Sequence, residues 1–350
     1  MLQQSQPLLS IVVPCFNEEA VIEETHSRIS RMAARLNELE YEIVYVDDGS
    51  QDGTGAILEQ LQHADPCVRV IRLSRNFGHQ IAVTAGLEHA SGDAVALIDA
   101  DLQDPPEVIP QMVARWREGY DVVYGERVSR EGETRFKIAT ARAFYRVMKH
   151  LTDTHIPLDA GDFRVMDRRV VEALRGMPEC DRFVRGLVSW AGFRQIAVPY
   201  HRASRFAGRS KYPLSKMLRF AMDGIMSFSV APLRAVLALG LVASLLAVLG
   251  ATYALALRTF TNDQIATGTA LLLGLLFMGG VQLVSVGIVG EYVGRSYEQS
   301  KRRPLYFIRD RIGFDETATP VRDLRESQPR RESERSARLT VVRERGRATP

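Results

Sequence analysis

The residues best equipped for chemistry in this chain are Asp99-Ala100-Asp101-Leu102-Gln103-Asp104. Asp99 and Asp101 flank one small residue, so a turn can aim both carboxylates at one point. Hard oxygen ligands of this kind suit Mg²⁺ or Mn²⁺ bridging a diphosphate. Gln103 offers a further carbonyl oxygen, and Pro105-Pro106 stiffen the exit of the segment. Asp-x-Asp alone is common on protein surfaces. This one directly follows an apolar, strand-like run, Ala94 to Ile98, and two more polar clusters hold equivalent positions: Asn17-Glu18 after Leu9 to Pro14, and Asp47-Asp48 after Glu42 to Val46.

The elements that must position these clusters alternate in type. After the first apolar run, Glu18 to Leu36 has helical spacing, with Glu18, Glu19, Glu23 and Glu24 favourable near a helix N-terminus. Helical patterns also cover Thr54 to Ala64 and Gln80 to Ala90, while Val68 to Leu73 and Asp121 to Tyr124 read as further strands. Strands separated by helices imply parallel pairing and a doubly wound α/β sheet. Ligands of such sheets bind outside the carboxyl ends of the strands, so the three clusters are expected to converge on one edge. Asp48 and Ser50 also fit a turn that caps the following helix. No Gly-x-Gly-x-x-Gly follows any strand, and Gly53-Thr54-Gly55 lacks the third glycine, which disfavours a dinucleotide-dependent dehydrogenase.

At these motifs the chain resembles glycosyltransferase family 2, and within it the polyprenyl-phosphate glycosyltransferases related to dolichyl-phosphate mannose synthase. The resemblance runs from Ser10 to Arg303. It is carried by Val12-Val13-Pro14-Cys15-Phe16-Asn17-Glu18-Glu19, Val46 to Ser50, Arg75-Asn76-Phe77-Gly78-His79-Gln80, Asp99 to Glu107, Gly161-Asp162-Phe163-Arg164 and Arg205 to Tyr212. It implies a GT-A fold, a nucleoside-diphosphate sugar donor, Mg²⁺ or Mn²⁺, a lipid phosphate acceptor such as undecaprenyl phosphate, and inversion at the anomeric carbon. Position by position, it implies nucleoside contacts at Pro14, Glu18, Asp47 and Asp99. Asn17 and Asp48, from the same clusters, join this nucleotide-binding set. Metal ligands are implied at Asp101 and Gln103, beside the Asp99 that its position already nominates. A catalytic carboxylate is implied at Asp162, with Asp159 as the alternative.

Transfer to a phosphate makes small demands on proton chemistry. A phosphomonoester has its second pKa near 6, so at pH 7 the acceptor is mostly a nucleophilic dianion. The harder task is to hold that anion against an anionic diphosphate, which calls for fixed cations on both. Arg127, Arg205, Arg209 and Lys211, with Ser210 donating a hydrogen bond, are the candidates for the acceptor phosphate, because guanidinium forks fit phosphate oxygens. Asp162 then orients the acceptor or Arg164 at least as readily as it abstracts a proton.

Two apolar runs, Ala235 to Leu257 and Ile265 to Val289, follow this domain. As a helix the first spans about 34 Å, enough to cross a hydrocarbon core of about 30 Å. Gly240, Ala243, Gly250, Gly274, Gly279, Gly280 and Gly287 are expected to let the pair approach closely, and they would permit a homo-oligomer. Basic residues flank the hairpin on both chain-terminal sides: Lys211, Lys216, Arg219 and Arg234 before it, Arg295, Lys301, Arg302 and Arg303 after it. The loop between has only Arg258, so the expectation is a bacterial-type inner membrane with the catalytic domain and both termini cytoplasmic.

The expected organisation is a tail at 1–8, a GT-A domain at 9–212, an amphipathic interfacial helix at 213–230, the hairpin within 231–294, a juxtamembrane segment at 295–312, and a disordered charged tail at 313–350. A second amphipathic helix is a further possibility around 136–151. Cys15, Cys67 and Cys180 match neither a zinc spacing nor a disulfide framework, and read as packing residues of a reducing compartment. A net charge of +3 says little, and nucleic acid is not an expected partner. The partners are a nucleoside-diphosphate sugar, with UDP-glucose favoured because Gly-Asp-Phe-Arg is most like the glucosyl-type relatives, a polyprenyl phosphate, and membrane lipid. Two rivals remain. Trp116 and Trp190 lie outside any Gln-x-x-Arg-Trp string, which weighs against processive polysaccharide synthesis, and the intact acidic and basic motifs weigh against a non-catalytic membrane scaffold.

Overall fold

A computed structural model of the chain describes residues 6–128, 160–180, 182–202, 231–260 and 267–314. Asp159, Arg205, Arg209, Ser210, Lys211, both expected amphipathic helices and nearly all of the charged tail lie outside the described residues. The chain divides into two compact units, Met1–Ile312 and Gly313–Pro350, and the described helices and strands belong to the first.

The elements run β1 (Leu8–Cys15), α1 (Ile22–Ala33), β2 (Glu40–Asp47), α2 (Thr54–Ala64), β3 (Val68–Leu73), α3 (His79–His89), β4 (Ala94–Leu97), α4 (Ile109–Arg117) and β5 (Val122–Arg127). They continue with β6 (Ala160–Asp167), α5 (Arg168–Arg175), α6 (Val184–Trp190) and β7 (Gln195–Tyr200). Two long helices, α7 (Ala231–Phe260) and α8 (Thr267–Ser300), precede a last strand, β8 (Ile308–Ile312).

The strands form one eight-stranded sheet in the order β7-β5-β6-β4-β1-β2-β3-β8. β1 pairs in parallel with β2 and β4, and β2 with β3, as strand–helix alternation requires. The order reverses between β1 and β4, which opens a crevice at their carboxyl ends. β6 runs antiparallel between β4 and β5, so the sheet is mixed on that side. β1 and β2 are buried almost throughout, which is why they read as continuous apolar runs rather than alternating ones. The core of Leu9, Ile11, Ile43, Tyr45, Ile98 and Phe163 fills one face of this sheet.

β1 does not stop at Pro14. It continues to Cys15, which pairs with Asp47, and Pro14 lies beyond the β1–β4 ladder, whose last pair is Val12 with Leu97. There its missing N–H interrupts no bond to β4. α3 packs so closely over β1 and β2 that a Cβ at Gly86 would overlap the Val12 side chain and sit 3.1 Å from Val46 Cγ2.

α7 and α8 are longer than their apolar runs, 30 and 34 residues. At 1.5 Å per residue each exceeds a hydrocarbon core of about 30 Å, so the ends must project beyond it. Mean hydropathy reaches 2.2 over Ala231–Gly250 and 1.3 over Phe277–Ser300. Leu237, Leu241, Leu245, Leu275 and Leu283 are all exposed, an arrangement compatible with lipid rather than water. The final turns of α8 carry the ion pairs Arg295–Glu291 (3.0 Å) and Lys301–Glu298.

The expected close approach through glycines is corrected. A Cβ at Gly240, Gly250, Gly274, Gly279, Gly280 or Gly287 would meet nothing within 4 Å, whereas Ala243 is buried. These glycines face open space and are not what brings the two helices together.

The segment 295–312, expected only to adjoin the membrane, does more than that. Its first residues extend α8 to Ser300, and Ile308–Ile312 add an antiparallel strand to the β3 edge, with Ile312 packed against the core. Tyr306 donates to Glu88, and Ser74 N–H donates to the Phe307 carbonyl at 2.9 Å. The chain thus returns from its last helix to the sheet and covers an edge that would otherwise be open.

Gly86→Ala should destabilise the protein by about 1–3 kcal/mol through overpacking, read as a lowered midpoint in denaturant. Unchanged stability would contradict the close helix–sheet approach.

Candidate active site

The carboxyl ends of β1, β2, β3 and β4 and the amino end of β6 hold the expected clusters together, and much of their chemistry goes into building the edge itself. Asn17 adopts φ +55°, a left-handed conformation that Asn tolerates better than most residues. Its N–H donates to Ser50 Oγ (3.0 Å) and its Oδ1 accepts from Gln51 N–H (2.8 Å), fastening the loop after β1 to the loop after β2. Glu18 N–H donates to Thr54 Oγ1 at 2.8 Å. Asp47 is buried and accepts from Ser50 N–H at 2.8 Å.

Asp48 is more committed than the sequence suggested. Its Oδ1 accepts from Phe77 N–H (2.7 Å) and its Oδ2 from Gly78 N–H (2.8 Å). It therefore ties β2 to the loop leading into α3, instead of capping the next helix, α2. Gly49 makes that approach possible: at φ +72° a Cβ would lie 2.5 Å from the Arg75 carbonyl carbon. Gly78, at φ +103°, then starts α3 with His79 directed over the edge.

In the acidic string, Leu102 is buried and has φ +58°, a costly conformation for a bulky residue. The reversal lets Asp101 Oδ1 accept from Gln103 N–H at 3.1 Å. Gln103 Oε1 accepts from Arg202 Nη2 at 2.6 Å. Asp99 Oδ1 is buried, accepts no hydrogen bond, and lies 3.6 Å from His79 Nε2. Burial pushes the Asp99 carboxyl up to about 6. With the His79 ring 3.6 Å away and no hydrogen bond accepted, this oxygen keeps a lone pair for a further cation, so the residues present fit a divalent ion held by Asp99 and Asp101. Among the described residues no three His, Cys, Asp or Glu side chains are grouped to hold an ion by themselves. Mg²⁺-type sites use one or two carboxylates and complete the shell with substrate phosphates and water.

The β4–β6 register, Leu97 with Arg164, when extended by two residues sets Asp99 opposite Asp162. Asp162 is buried at 4 % exposure. Arg185 Nε reaches its Oδ1 at 2.8 Å, while Arg185 Nη2, His79 Nε2 and Gln80 Nε2 all lie 3.2 Å from its Oδ2. Burial would raise the Asp162 carboxyl, but the Arg185 charge and the His79 and Arg185 hydrogen bonds hold it well below the usual range. For His79, burial opposes the imidazolium, yet the hydrogen bond to Asp162 and the charges of Asp99 and Asp162 outweigh it and raise its pKa to about 9. A carboxylate so ligated is a poor proton acceptor and a strong anchor.

Arg127, nominated for the acceptor, ends β5. Its Nε donates to Tyr200 Oη (3.1 Å) and its Nη2 lies 3.7 Å from Asp104, a buried carboxylate that also accepts from Tyr200. His79, Gln80, Asp104, Arg185, Arg202 and Tyr200 are the participants that residue-by-residue reading missed. His79, Gln80 and Asp104 lie inside the family motifs yet carried no role of their own; nothing near Arg185 or Tyr200 in the sequence marks them.

A mixed sheet with an acidic pair at its switch point, beside a wall of guanidinium groups, defines a glycosyltransferase of the GT-A fold. Residues 10–175 match Glycosyl transferase family 2. The chain is 47% identical over 306 residues to the uncharacterized glycosyltransferase YkcC of Bacillus subtilis (strain 168), covering 87% of this chain and 94% of that one. It is 43% identical over 303 residues to the bactoprenol glucosyl transferase of Shigella phage SfV, covering 86% and 98%. Glucosyl-3-phosphoglycerate synthase from Mycobacterium tuberculosis overlaps it with a TM-score of 0.43 at 19% identity, across 63% of this chain and 76% of that one. The protein belongs to Glycosyl transferase family 2.

Asp162→Asn should cost about 3–5 kcal/mol near neutral pH, because it strands the Arg185 charge. The folded pKa lies below the unfolded value near 3.9, so the carboxylate stabilises the fold above about pH 4 and that contribution is lost as pH falls toward the folded pKa. Urea unfolding across pH 3–7 should therefore show a shallower acid decline in the variant than in the wild type; parallel declines would contradict the anchoring role.

Proposed function

We propose that the protein transfers a single hexose, glucose in the first instance, from UDP-glucose to a polyprenyl phosphate at the cytoplasmic face of a membrane, with inversion at the anomeric carbon. The reading is carried by one observation: the unsatisfied, buried Asp99 oxygen beside Asp101 at the switch point of the sheet. The name of the 43%-identical bactoprenol glucosyl transferase supports glucose and a lipid carrier, and the exposed apolar helices α7 and α8 support a membrane site for that acceptor.

In this mechanism a phosphate oxygen of the acceptor attacks the anomeric carbon, the new O–C bond forms as the bond to the donor β-phosphate oxygen breaks, and the nucleoside diphosphate leaves. The acceptor is already ionised near neutral pH, so no proton need be removed. Asp99 and Asp101, with Gln103 nearby, would hold a divalent ion, which would supply charge neutralisation for the departing diphosphate. Pro14, Asn17, Glu18, Asp47 and Asp48 form the nucleoside end of the edge, with Asn17 and Asp48 acting by shaping its loops. Arg127, with Arg205, Arg209, Ser210 and Lys211, holds the acceptor phosphate, and Asp162, in preference to Asp159, orders the groups around the reacting centre. Arg234 in the first turn of α7, Arg295 near the end of α8 and Lys301, Arg302 and Arg303 just after it favour a cytoplasmic catalytic domain and termini.

The test is a panel of radiolabelled sugar nucleotides with undecaprenyl phosphate and Mg²⁺ or Mn²⁺, followed by chloroform extraction. UDP-glucose should label the lipid once per acceptor, EDTA should abolish labelling, and Asp101→Ala should lower turnover at least about 100-fold. Metal-independent turnover, or an intact Asp101→Ala variant, would overturn the metal assignment; no labelled lipid from any donor would favour a scaffold. Between pH 5 and 9 the wild-type rate should rise through about pH 6 with acceptor ionisation and then level off, whereas a rise continuing to alkaline pH would restore a general base.

A further inference from the structure

The acidic string ends in a carboxylate with a task of its own. Asp104 is buried at 1 % exposure and accepts from the Tyr200 hydroxyl. Arg127 Nη2 and Arg202 Nε lie 3.7 Å and 3.9 Å from it. The Tyr200 hydroxyl is a bridge, because it also accepts from Arg127 Nε at 3.1 Å. Gln103 joins the same group, its Oε1 accepting from Arg202 Nη2 at 2.6 Å. Burial opposes the Arg127 charge, but the Asp104 charge and Tyr200 outweigh it and raise the Arg127 pKa. Burial and the Asp104 charge push the Tyr200 phenol up, so near neutral pH it is protonated and able to donate.

Separate elements deliver these groups, and each is fixed in place. β5 and β7 pair in parallel with Arg127 in register with Tyr200, so the two residues end their strands as neighbours. The Tyr200 ring packs edge-on against Phe163, centroids 5.5 Å apart. A Cβ at Gly125 would lie 2.7 Å from Tyr200 Cε1 and 2.9 Å from Phe163 Cδ1, and one at Gly161 would lie 2.6 Å from Arg127 Nη2, so glycine at both positions leaves room for the phenol and the guanidinium. Asp104 comes from the loop after β4, held by the left-handed Leu102 before it and by Pro105-Pro106 after it. We propose that Asp104 is a positioning residue for the acceptor: through Tyr200 it registers Arg127 against the loop that carries Asp101, and so sets the separation between the acceptor phosphate and the donor diphosphate. This rests on the proposed role of Arg127 as an acceptor-phosphate ligand. Reacting groups tolerate little misplacement, since about 1 Å can cost on the order of 100-fold in rate.

The full-length protein in detergent is assayed with UDP-glucose, undecaprenyl phosphate and Mg²⁺, and titrated in parallel with farnesyl phosphate. Asp104→Asn removes the charge and keeps an oxygen for the Tyr200 hydroxyl, whereas Tyr200→Phe removes the bridging hydroxyl and keeps the ring. Asp104→Asn should raise the acceptor KM and weaken farnesyl phosphate binding about tenfold, with a smaller effect from Tyr200→Phe. The donor KM and the Mg²⁺ concentration for half-maximal rate should stay near wild type in both. Combined with Arg127→Gln, either change should add little to the loss that Arg127→Gln causes alone, because all act through one guanidinium. Unchanged acceptor KM and binding, losses that multiply in the double variants, a change confined to the donor KM or the Mg²⁺ requirement, or neither binding nor transfer by the wild type would each overturn the assignment. Should Asp104→Asn fail to fold, Tyr200→Phe and its double variant decide the matter by the same criteria. Arg127→Gln without effect on the acceptor would remove both Arg127 as ligand and the positioning role; a strong Arg127→Gln effect with silent Asp104→Asn and Tyr200→Phe would remove the positioning role alone. Asp104-dependent farnesyl phosphate binding without sugar transfer would sustain the positioning role while removing the proposed reaction.

Discussion

The buried negative charge of Asp162 must be neutralised, and the carboxyl edge of the sheet is arranged around that requirement. A lone ionised carboxylate in this setting would be untenable. Here it is met by Arg185 from α6 and by His79 and Gln80 from the start of α3. Gln80 also accepts from Val184 N–H at 2.9 Å, so the same contact set locks α3 to α6. One charge therefore organises three elements that are remote in sequence, and it fixes His79 between Asp162 and Asp99.

The loops at this edge are held by a second kind of constraint. Backbone N–H groups that strand pairing leaves without partners are taken up by side chains from neighbouring loops: Asp48 serves Phe77 and Gly78, Asn17 serves Gln51, and Asp47 serves Ser50. Left-handed backbone at Asn17, Gly49, Gly78 and Leu102 is tolerated because these bonds and the burial of Leu102 over-determine it. Several polar residues that motif resemblance assigns to ligand binding thus also build the frame that presents the ligand site.

Electrostatics divides the crevice into two halves. Among the described residues, carboxylates predominate around Asp99 and Asp101, with His79 3.6 Å from Asp99 Oδ1, and guanidinium groups predominate around Gly161-Asp162, where Arg127, Arg164 and Arg185 gather. An acidic half suits a metal-bridged diphosphate, and a basic half suits a second phosphate. β6 makes this division possible, because its antiparallel insertion between β4 and β5 brings Asp162 opposite Asp99. Strand β8 joins the same sheet at the β3 edge, so the chain beyond α8 is part of the catalytic unit.

Much of this was determined by the sequence alone. Period and composition encode locally, so β1 to β4, the helices between them, the two apolar helices and the convergence of Asn17, Asp47 and Asp99 on one edge were legible; only ends shifted, as at Cys15 and Ser300. Tertiary structure decided what depends on distance between remote residues. Arg185 carries no mark of its contact with Asp162 until α6 packs beside β6, and Asp162 reads as an orienting carboxylate or a base, with the donors that hold it coming from α3 and α6. Asp48 reads as a cap of α2 until the loop before α3 folds over it. Ile308–Ile312 reads as a charged juxtamembrane stretch because a five-residue edge strand has too little periodicity to announce itself, and only the open edge of β3 selects it. The glycines of α7 and α8 suggested close packing, yet which face of a helix meets a neighbour is set by the fold, not by composition.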